Sequence, residues 1–444
     1  MLLSGCGIYK KYEMPIENKY VNEYAQSVAT ADSASLPYLG WEKVFTDPTL
    51  ADYIRTALAQ NKDVDNARLN VRMAQAQLKG AKLSYFPSVA LSPNGGAAKY
   101  GTGKMDTWTY TIPLSVQWEV DVFGKILNRK RGAKVAVEQM QDYEQAVRSQ
   151  IVSAVANTYY GLMLLDQQLD LTERTAAIWK DQVESMKLMK QAGMVNEAAV
   201  VQSTANYWSI MASIPDIRQA IYEMNGTMSL LLHTERKEWP VSQNMDFEIP
   251  LDIAAGVPLC YLGARPDVRA AERGLASAYY GVCSARAAFY PSLIIAPQGG
   301  FTNLVGSMVM NPGKWFLQLA GSLAAPLFSR GQNIANLEVA KAKQEQAMNN
   351  FETTVLSAAN DVSDALSKYT NNNEKRTYLL QQIDNLEKSV EYTQELLTLD
   401  QRTTYLEVLT AQSSLLSAQL ASLNCWHNKV TALITLYQAV GGGR

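Results

Sequence analysis

The chain has 444 residues, 47% of them hydrophobic and 18% charged, and its 40 Lys and Arg against 42 Asp and Glu leave a net charge of -2. That balance carries no basic footprint for nucleic acid, and no apolar run approaches the ~18 residues of a membrane-spanning helix. With two histidines (His233, His427) and four separated cysteines (Cys6, Cys260, Cys283, Cys425), neither a zinc site nor a disulfide framework is expected.

Residues 2–6 read Leu-Leu-Ser-Gly-Cys: an apolar pair, two small residues and a cysteine. This resembles the lipobox of bacterial lipoproteins, whose cysteine becomes the lipid-bearing N-terminus after leader cleavage. The resemblance makes Cys6 a lipidation site; the alternative is an isolated thiol. The basic stretch and most of the apolar stretch of a leader do not precede it, so either the leader is cut short or the start is assigned late. Residues 18–36 are rich in Ser, Ala, Asn and Asp and read as an extended segment.

The chain then repeats itself, a signal that decides the fold when it is present. Residues 81–96, AKLSYFPSVALSPNGG, align with 285–300, ARAAFYPSLIIAPQGG, at an offset of 204 (285 − 81). The same offset pairs IVSAVANTYYGL at 151–162 with VLSAANDVSDAL at 355–366, and VDVF at 120–123 faces APLF at 325–328 at 205. The organisation is an N-terminal segment 1–46, a first repeat 47–235, a linker 236–262, a second repeat 263–441 and a tail 442–444, and the glycine run 441–443 at their junction reads as a flexible end. Each repeat has one grammar. A helical stretch (47–84 or 267–288) ends at Phe-Pro or Tyr-Pro, because the residue before proline avoids the α region. Two strand-like segments joined by a Gly-rich loop follow, then a very long helical region.

Residues 108–122 alternate strictly. Trp108, Tyr110, Ile112, Leu114, Val116, Trp118, Val120 and Val122 form one face, and Thr, Pro, Ser, Gln, Glu and Asp the other. Ten residues separate Trp108 from Trp118. At ~3.3 Å per residue and a tilt near 40° this is about 25 Å, the height of an outer-membrane apolar band with its aromatic girdles. In the second repeat Trp315, Leu317, Leu319, Leu323 and Leu327 alternate with Gln318, Ala320, Ser322 and Ala324. A sandwich strand with one buried face is the competing reading, but the first segment is about twice the usual globular strand length. Two strands per repeat give four, and four cannot close a barrel in lipid. A membrane sheet of this kind must be shared between chains, and three chains would give twelve strands.

No proline lies between Pro113 and Pro215 or after Pro326. Val147, Ile151, Val155, Tyr159, Leu162, Leu165 and Leu169 recur every three or four residues, as do Leu379, Ile383, Leu386 and Val390. A helix over about 125–191 would be ~100 Å long, followed by a returning helix from near Asn196 towards Leu232. The second repeat does the same, with a turn near 399–404. Frequent Ala, Ser, Gln and Asn suit helices packed side by side in a wall. A plain antiparallel coiled-coil rod is the alternative, which the strands disfavour.

This order, together with WEVDVFGK at 118–125, ARPDVRAAE at 264–272, FYPSL at 289–293, PLFSRG at 326–331 and YLEVLTAQSSLL at 405–416, resembles the TolC-like outer-membrane factors over about 41–441. The lipobox and the ARPDV segment resemble the NodT-type efflux lipoprotein branch. The resemblance implies a homotrimer whose shared 12-stranded β-barrel lies in outer-membrane lipid and whose 12-helix α-barrel projects into the periplasm. It implies a passive exit duct for small molecules, opened at its periplasmic tip by a periplasmic adaptor protein and an inner-membrane pump of the resistance-nodulation-division type. No catalysis and no cofactor belong to such a duct. Trp108, Tyr110, Trp118 and Trp315 are its membrane-girdle residues. The helical turns at Gly193 and near Gln401 are its tip, with Glu407 as the pore acid and Asp400, Arg402 and Glu197 as gate-holding polar groups. At the local offset of 208 (407 − 199) the first repeat carries Ala199 where Glu407 stands, and Gln401 replaces the usual turn glycine. A duct for protein secretion has the same architecture, and a lipid-tethered periplasmic scaffold is the alternative from another class. His427 with Cys425 lacks a third metal ligand, and the 16 methionines are scattered as core residues are. No nucleophile–base pair or phosphate loop stands out.

Overall fold

The computed structural model describes residues 10–15, 22, 24, 40–98, 107–243, 245, 247, 263–302, 315–325, 330–399 and 405–442. The side chains of residues 98, 107–109, 398 and 399 are outside that description. Cys6, Asp400, Gln401, Arg402 and Leu327 therefore lie outside the described residues, and of Trp108 only the backbone is described.

Helices α1 (Trp41–Val44), α2 (Pro48–Gln60) and α3 (Lys62–Leu83) precede strands β1 (Ser88–Leu91), β2 (Asn94–Ala98) and β3 (Thr107–Val120). Helices α4 (Lys125–Gln191) and α5 (Glu197–Leu231) follow. The second half has α6 (Pro266–Ala287), β4 (Ser292–Thr302), β5 (Trp315–Ala324), α7 (Gln332–Leu399) and α8 (Tyr405–Ala439).

The repeat survives element by element. Helices α3 and α6 have 22 residues each, offset by 204 (266 − 62), and α5 and α8 have 35 each, offset by 208 (405 − 197). Helices α4 and α7 start 207 apart (332 − 125) and end 208 apart (399 − 191). The offset has thus risen from 204 at α3 and α6 to 207 where the long helices begin, so the 204 read for 151–162 is three to four residues short of the structural pairing. That is close to one helical turn, so a similar apolar face is presented in either register.

Two sequence expectations change. The helical stretch over 47–84 is two helices, because Asn61 leaves the helical region (φ -65, ψ 131). Its Oδ1 accepts from the Asp63 N–H at 2.8 Å and its Nδ2 donates to the Leu231 carbonyl at 3.0 Å, so the side chain caps one helix while anchoring to another. Gly441 and Gly442, part of the run read as a flexible end, are held in place. Gly441 has φ +90, and a Cβ there would stand 2.9 Å from the Ala264 carbonyl. Ser149 donates to the Gly442 carbonyl at 2.6 Å.

The sheet is an antiparallel meander, β1–β3–β4–β5, with β2 also on β3. Residues 88–91 and 94–98 pair with β3 in one continuous register (88 + 117 = 94 + 111 = 205), so β1 and β2 are one strand row interrupted at Pro93. Pairing of β3 with β4 lapses at Val116 and Gln117, opposite Pro297 and Ala296, where proline has no N–H to give. Gly300 faces Pro113, and a side chain there would collide with the Ile112 carbonyl oxygen. The sheet is therefore four rows wide, built from both repeats.

The chain forms two compact units, and both draw on both repeats. One comprises Met1–Val21, Arg68–Tyr143 and Asp267–Thr354 and holds the sheet. In it, Arg273 of α6 meets Glu138 at 2.7 Å and Asp142 at 3.2 Å on α4, and Arg269 meets Asp142 at 2.6 Å. The other comprises Asn22–Ala67, Glu144–Pro266 and Val355–Arg444. Its core joins Leu50 and Ile54 of α2, Val155 and Tyr159 of α4, Met228 of α5, and Leu433 and Tyr437 of α8. The Tyr159 hydroxyl donates to Asp47 Oδ2 and accepts from the Ser242 N–H, both at 2.8 Å, while Asp47 Oδ1 caps α2. In the same unit Arg265 of the ARPDV segment is buried. It donates to the Ala439 carbonyl at 2.9 Å and to Asp361 at 3.0 Å, tying the start of α6 to α7 and the end of α8.

Candidate functional site

Registers fix the two faces of the sheet. Val89 and Leu91, then Ile112, Leu114, Val116 and Trp118, then Leu293, Ile295 and Phe301, then Trp315, Leu317, Leu319 and Leu323 all pair across the strands on one face. That face is apolar throughout and open: Leu319 is 78% exposed, Trp315 66% and Trp118 41%. Tyr110 sits on it half-buried. The opposite face carries Thr111 against Thr302, Ser115 against Gln298, and Gln298 against Gln318. The Thr111 and Thr302 hydroxyls lie 3.4 Å apart. An open apolar face backed by a face that is polar or small apart from Ile294 and Phe316 is the reverse of a globular sheet, whose apolar face is covered, and it is the pattern of a lipid-facing barrel wall. Both edge rows, β1/β2 and β5, have a partner on one side only among the described residues. In lipid an unpaired edge costs several kcal/mol per group, so such a sheet is completed only by strands from elsewhere. Trp118, expected from the sequence as a girdle residue, donates its indole N–H to the Tyr85 carbonyl at 3.0 Å, which anchors the strand to the segment after α3.

At the C-terminal end of α4, the turn at Gly193 is a Schellman motif. The Met194 N–H bonds to the Met189 carbonyl and the Gly193 N–H to the Lys190 carbonyl, both at 2.9 Å. Gly193 has φ 75, the left-handed conformation that glycine adopts without steric cost. Asn196 then caps α5 by accepting from the Ala199 N–H at 3.0 Å. Glu197 forms an ion pair with Lys190 across this turn, a partner the sequence reading did not name. The pair was legible in principle, since a tight glycine turn folds the end of one helix onto the start of the next.

Both hairpins meet here in one small core of Trp179, Met186, Val200, Tyr405 and Leu409, with Ala199 packed against it. Ala199 and Glu407 are equivalent by repeat offset but do different work. Ala199 contributes to this core, whereas Glu407 is exposed in the first turn of α8, where the helix N-terminus favours a negative charge. The structure thus brings Gly193, Glu197 and Lys190 together at one hairpin turn and Glu407 to the start of the other returning helix. Among the described residues no group of three His, Cys, Asp or Glu is placed to hold a metal ion.

The description Outer membrane efflux protein matches residues 53–232 and 261–442, the two halves separately. Cation efflux system protein CusC of Escherichia coli O6:H1 is 27% identical over 453 residues, spanning 100% of this chain and 97% of its own length. Probable outer membrane lipoprotein SilC of Salmonella typhimurium is 26% identical over 451 residues, spanning 100% and 96%. The solved structure of CusC superposes with a TM-score of 0.87 at 24% identity, covering 98% of each chain. The paired match over both repeats, with the apolar-out sheet and the long helical hairpins it accompanies, establishes that the chain belongs to the outer membrane efflux protein family.

Proposed function

We propose that the protein is the outer-membrane exit duct of a tripartite efflux pump, formed by three copies whose four-row sheets close one barrel of twelve strands (3 × 4). The observation that carries this is the sheet itself, with one open apolar face and two edge rows that have no second strand partner among the described residues. Three such sheets joined edge to edge satisfy every strand and turn the apolar face to lipid. The long hairpins of each chain then supply four helices each to a common tunnel. Cys6 carries lipid at the N-terminus, in keeping with the relative named a lipoprotein. Trp108, Tyr110, Trp118 and Trp315 seat the barrel in the membrane.

The hairpin ends form the tunnel's closed tip. Gly193 shapes one turn, and Glu197 with Lys190 holds it through an exposed pair worth about 0–1 kcal/mol, weak enough for a gate that opens when a periplasmic adaptor and an inner-membrane pump engage; Asp400 and Arg402 are the candidate gate residues of the second turn. Three copies of Glu407 place a carboxylate ring at the constriction. The duct performs no chemistry of its own, and the inner-membrane partner supplies the energy. Its cargo is small toxic molecules; the names of the relatives make inorganic cations one such class.

Detergent-extracted protein weighed by light scattering, with detergent subtracted, is expected at about three times 49.1 kDa and to conduct when reconstituted in a planar bilayer. A monomer without conductance overturns the duct. Glu407→Gln is expected to lower the cation over anion permeability ratio severalfold, read as a shift in reversal potential under a salt gradient. An unchanged ratio removes Glu407 from the pore.

A further inference from the structure

A crevice of about 450 Å³ lies between α4, α7 and α8 within the second compact unit. Leu171 and Ile178 of α4, Val390 of α7 and Leu415 of α8 give it apolar walls, and Trp179 closes one side. Gln412 of α8 lines it too. Gln412 is 7% exposed, and neither its side-chain nitrogen nor its side-chain oxygen has a hydrogen-bond partner among the described residues. An unpaired buried polar group costs about 1–3 kcal/mol, and a buried position on an amphipathic helix is served better by leucine. A glutamine held there with a donor and an acceptor both open has the chemistry of a recognition group.

The remaining lining residues decide what is recognised. They include no Asp, Glu, His, Cys or Met, so a metal cation finds no ligand. The single charge is Arg174, which Asp170 already engages. The volume falls within the ~300–1,000 Å³ of small-molecule sites, which pair apolar walls with a few placed polar groups. We propose that this crevice binds uncharged amphipathic small molecules whose apolar body fills it and whose amide-like donor and acceptor pair with Gln412. The site goes beyond the duct reading, which stands on oligomer mass and conductance, whereas this site stands on binding.

Two probes of one shape separate the amide from the body: benzanilide, with two phenyl rings and one secondary amide, and trans-stilbene, which lacks the amide. Equilibrium dialysis of the full detergent-solubilised protein, with a micelle-only arm subtracted, reads both affinities. The wild-type protein is expected to favour benzanilide by about tenfold or more. Gln412→Leu is expected to bring the ratio near one while leaving the melting temperature no lower, since it removes two unpaired groups. Leu171→Trp, which fills the crevice, is expected to abolish binding of both probes. The proposal is overturned if neither probe binds, as in a crevice that holds only water, or if the preference for benzanilide survives Gln412→Leu.

Discussion

His233 and Gly441 stand 208 residues apart (441 − 233) at the same place in the two repeats, just beyond α5 and α8. Both have positive φ, 53 and 90. At each, backbone N–H groups close back onto the helix, from Thr234 to the Ser229 carbonyl and from Gly442 to the Tyr437 carbonyl. A non-glycine residue in the left-handed region costs roughly 1 kcal/mol. His233→Gly should therefore raise the thermal midpoint of the solubilised protein by stabilising it about 1 kcal/mol. Gly441→Ala should lower it by destabilising the protein about 2–4 kcal/mol, because the new Cβ meets both the strain of positive φ and the Ala264 backbone at 2.9 Å. The repeat was legible in the residues themselves. The role of the C-terminal glycines was not, since Gly-Gly-Gly reads as a loose end until the start of α6 is seen against it. Gln412 was invisible for the same reason: one glutamine in YLEVLTAQSSLL is unremarkable until its burial and its open amide are known.

Among the elements, α4 and α6 are held by a cluster in which burial outweighs charge pairing. Burial, ahead of Arg269 and Arg273, raises the Asp142 carboxyl above the ordinary carboxylate range, and burial likewise raises Glu272 on α6. A carboxyl whose folded pKa is raised favours the protonated form in the folded state. Its contribution to stability is therefore greatest below the unfolded pKa and is lost as pH rises through the folded value. Glu272→Gln, which removes that buried charge, should raise the melting temperature at neutral pH, and the gain should fade on acidification to about pH 4. A gain of equal size at both pH values would show that Glu272 acts through packing alone. Helix ends at Gln191 and Leu231 could be read from period and turn residues, and so could the strand at 108–122, although it stops at Val120 while the alternation runs on to Val122. The break at Asn61 was not read, because no proline or glycine marks it and one of its two side-chain bonds reaches the Leu231 carbonyl, 170 residues away.

For the molecule as a whole, the open apolar face of the sheet predicts where charge is tolerated. Leu319→Arg should cost about 2–4 kcal/mol per chain if the residue lies at the bilayer midplane. The variant is expected to leave the outer-membrane fraction on urea washing, whereas the wild-type protein resists. Gln318→Arg, on the opposite face, should remain in the membrane and alter conductance. Equal behaviour of the two variants would contradict the assignment of faces.

The sequence by itself determined the two repeats, the order of helix, strand pair and long hairpin in each, and the apolar and polar faces of the strands. These follow from local rules: proline exclusion, periods of 2 and 3.6, and a tandem copy that displays each rule twice. It also carried enough motif to point to the family. Tertiary structure alone decided that residues from both repeats build each compact unit, that strands of both repeats form one sheet of four rows among the described residues, and that Ala199 packs in a core while Glu407 stays exposed. These depend on which distant segments meet. Pairing register, close approach at Gly300 and unpaired groups at Gln412 are properties of contacts between segments some tens to hundreds of residues apart, and no local pattern encodes them.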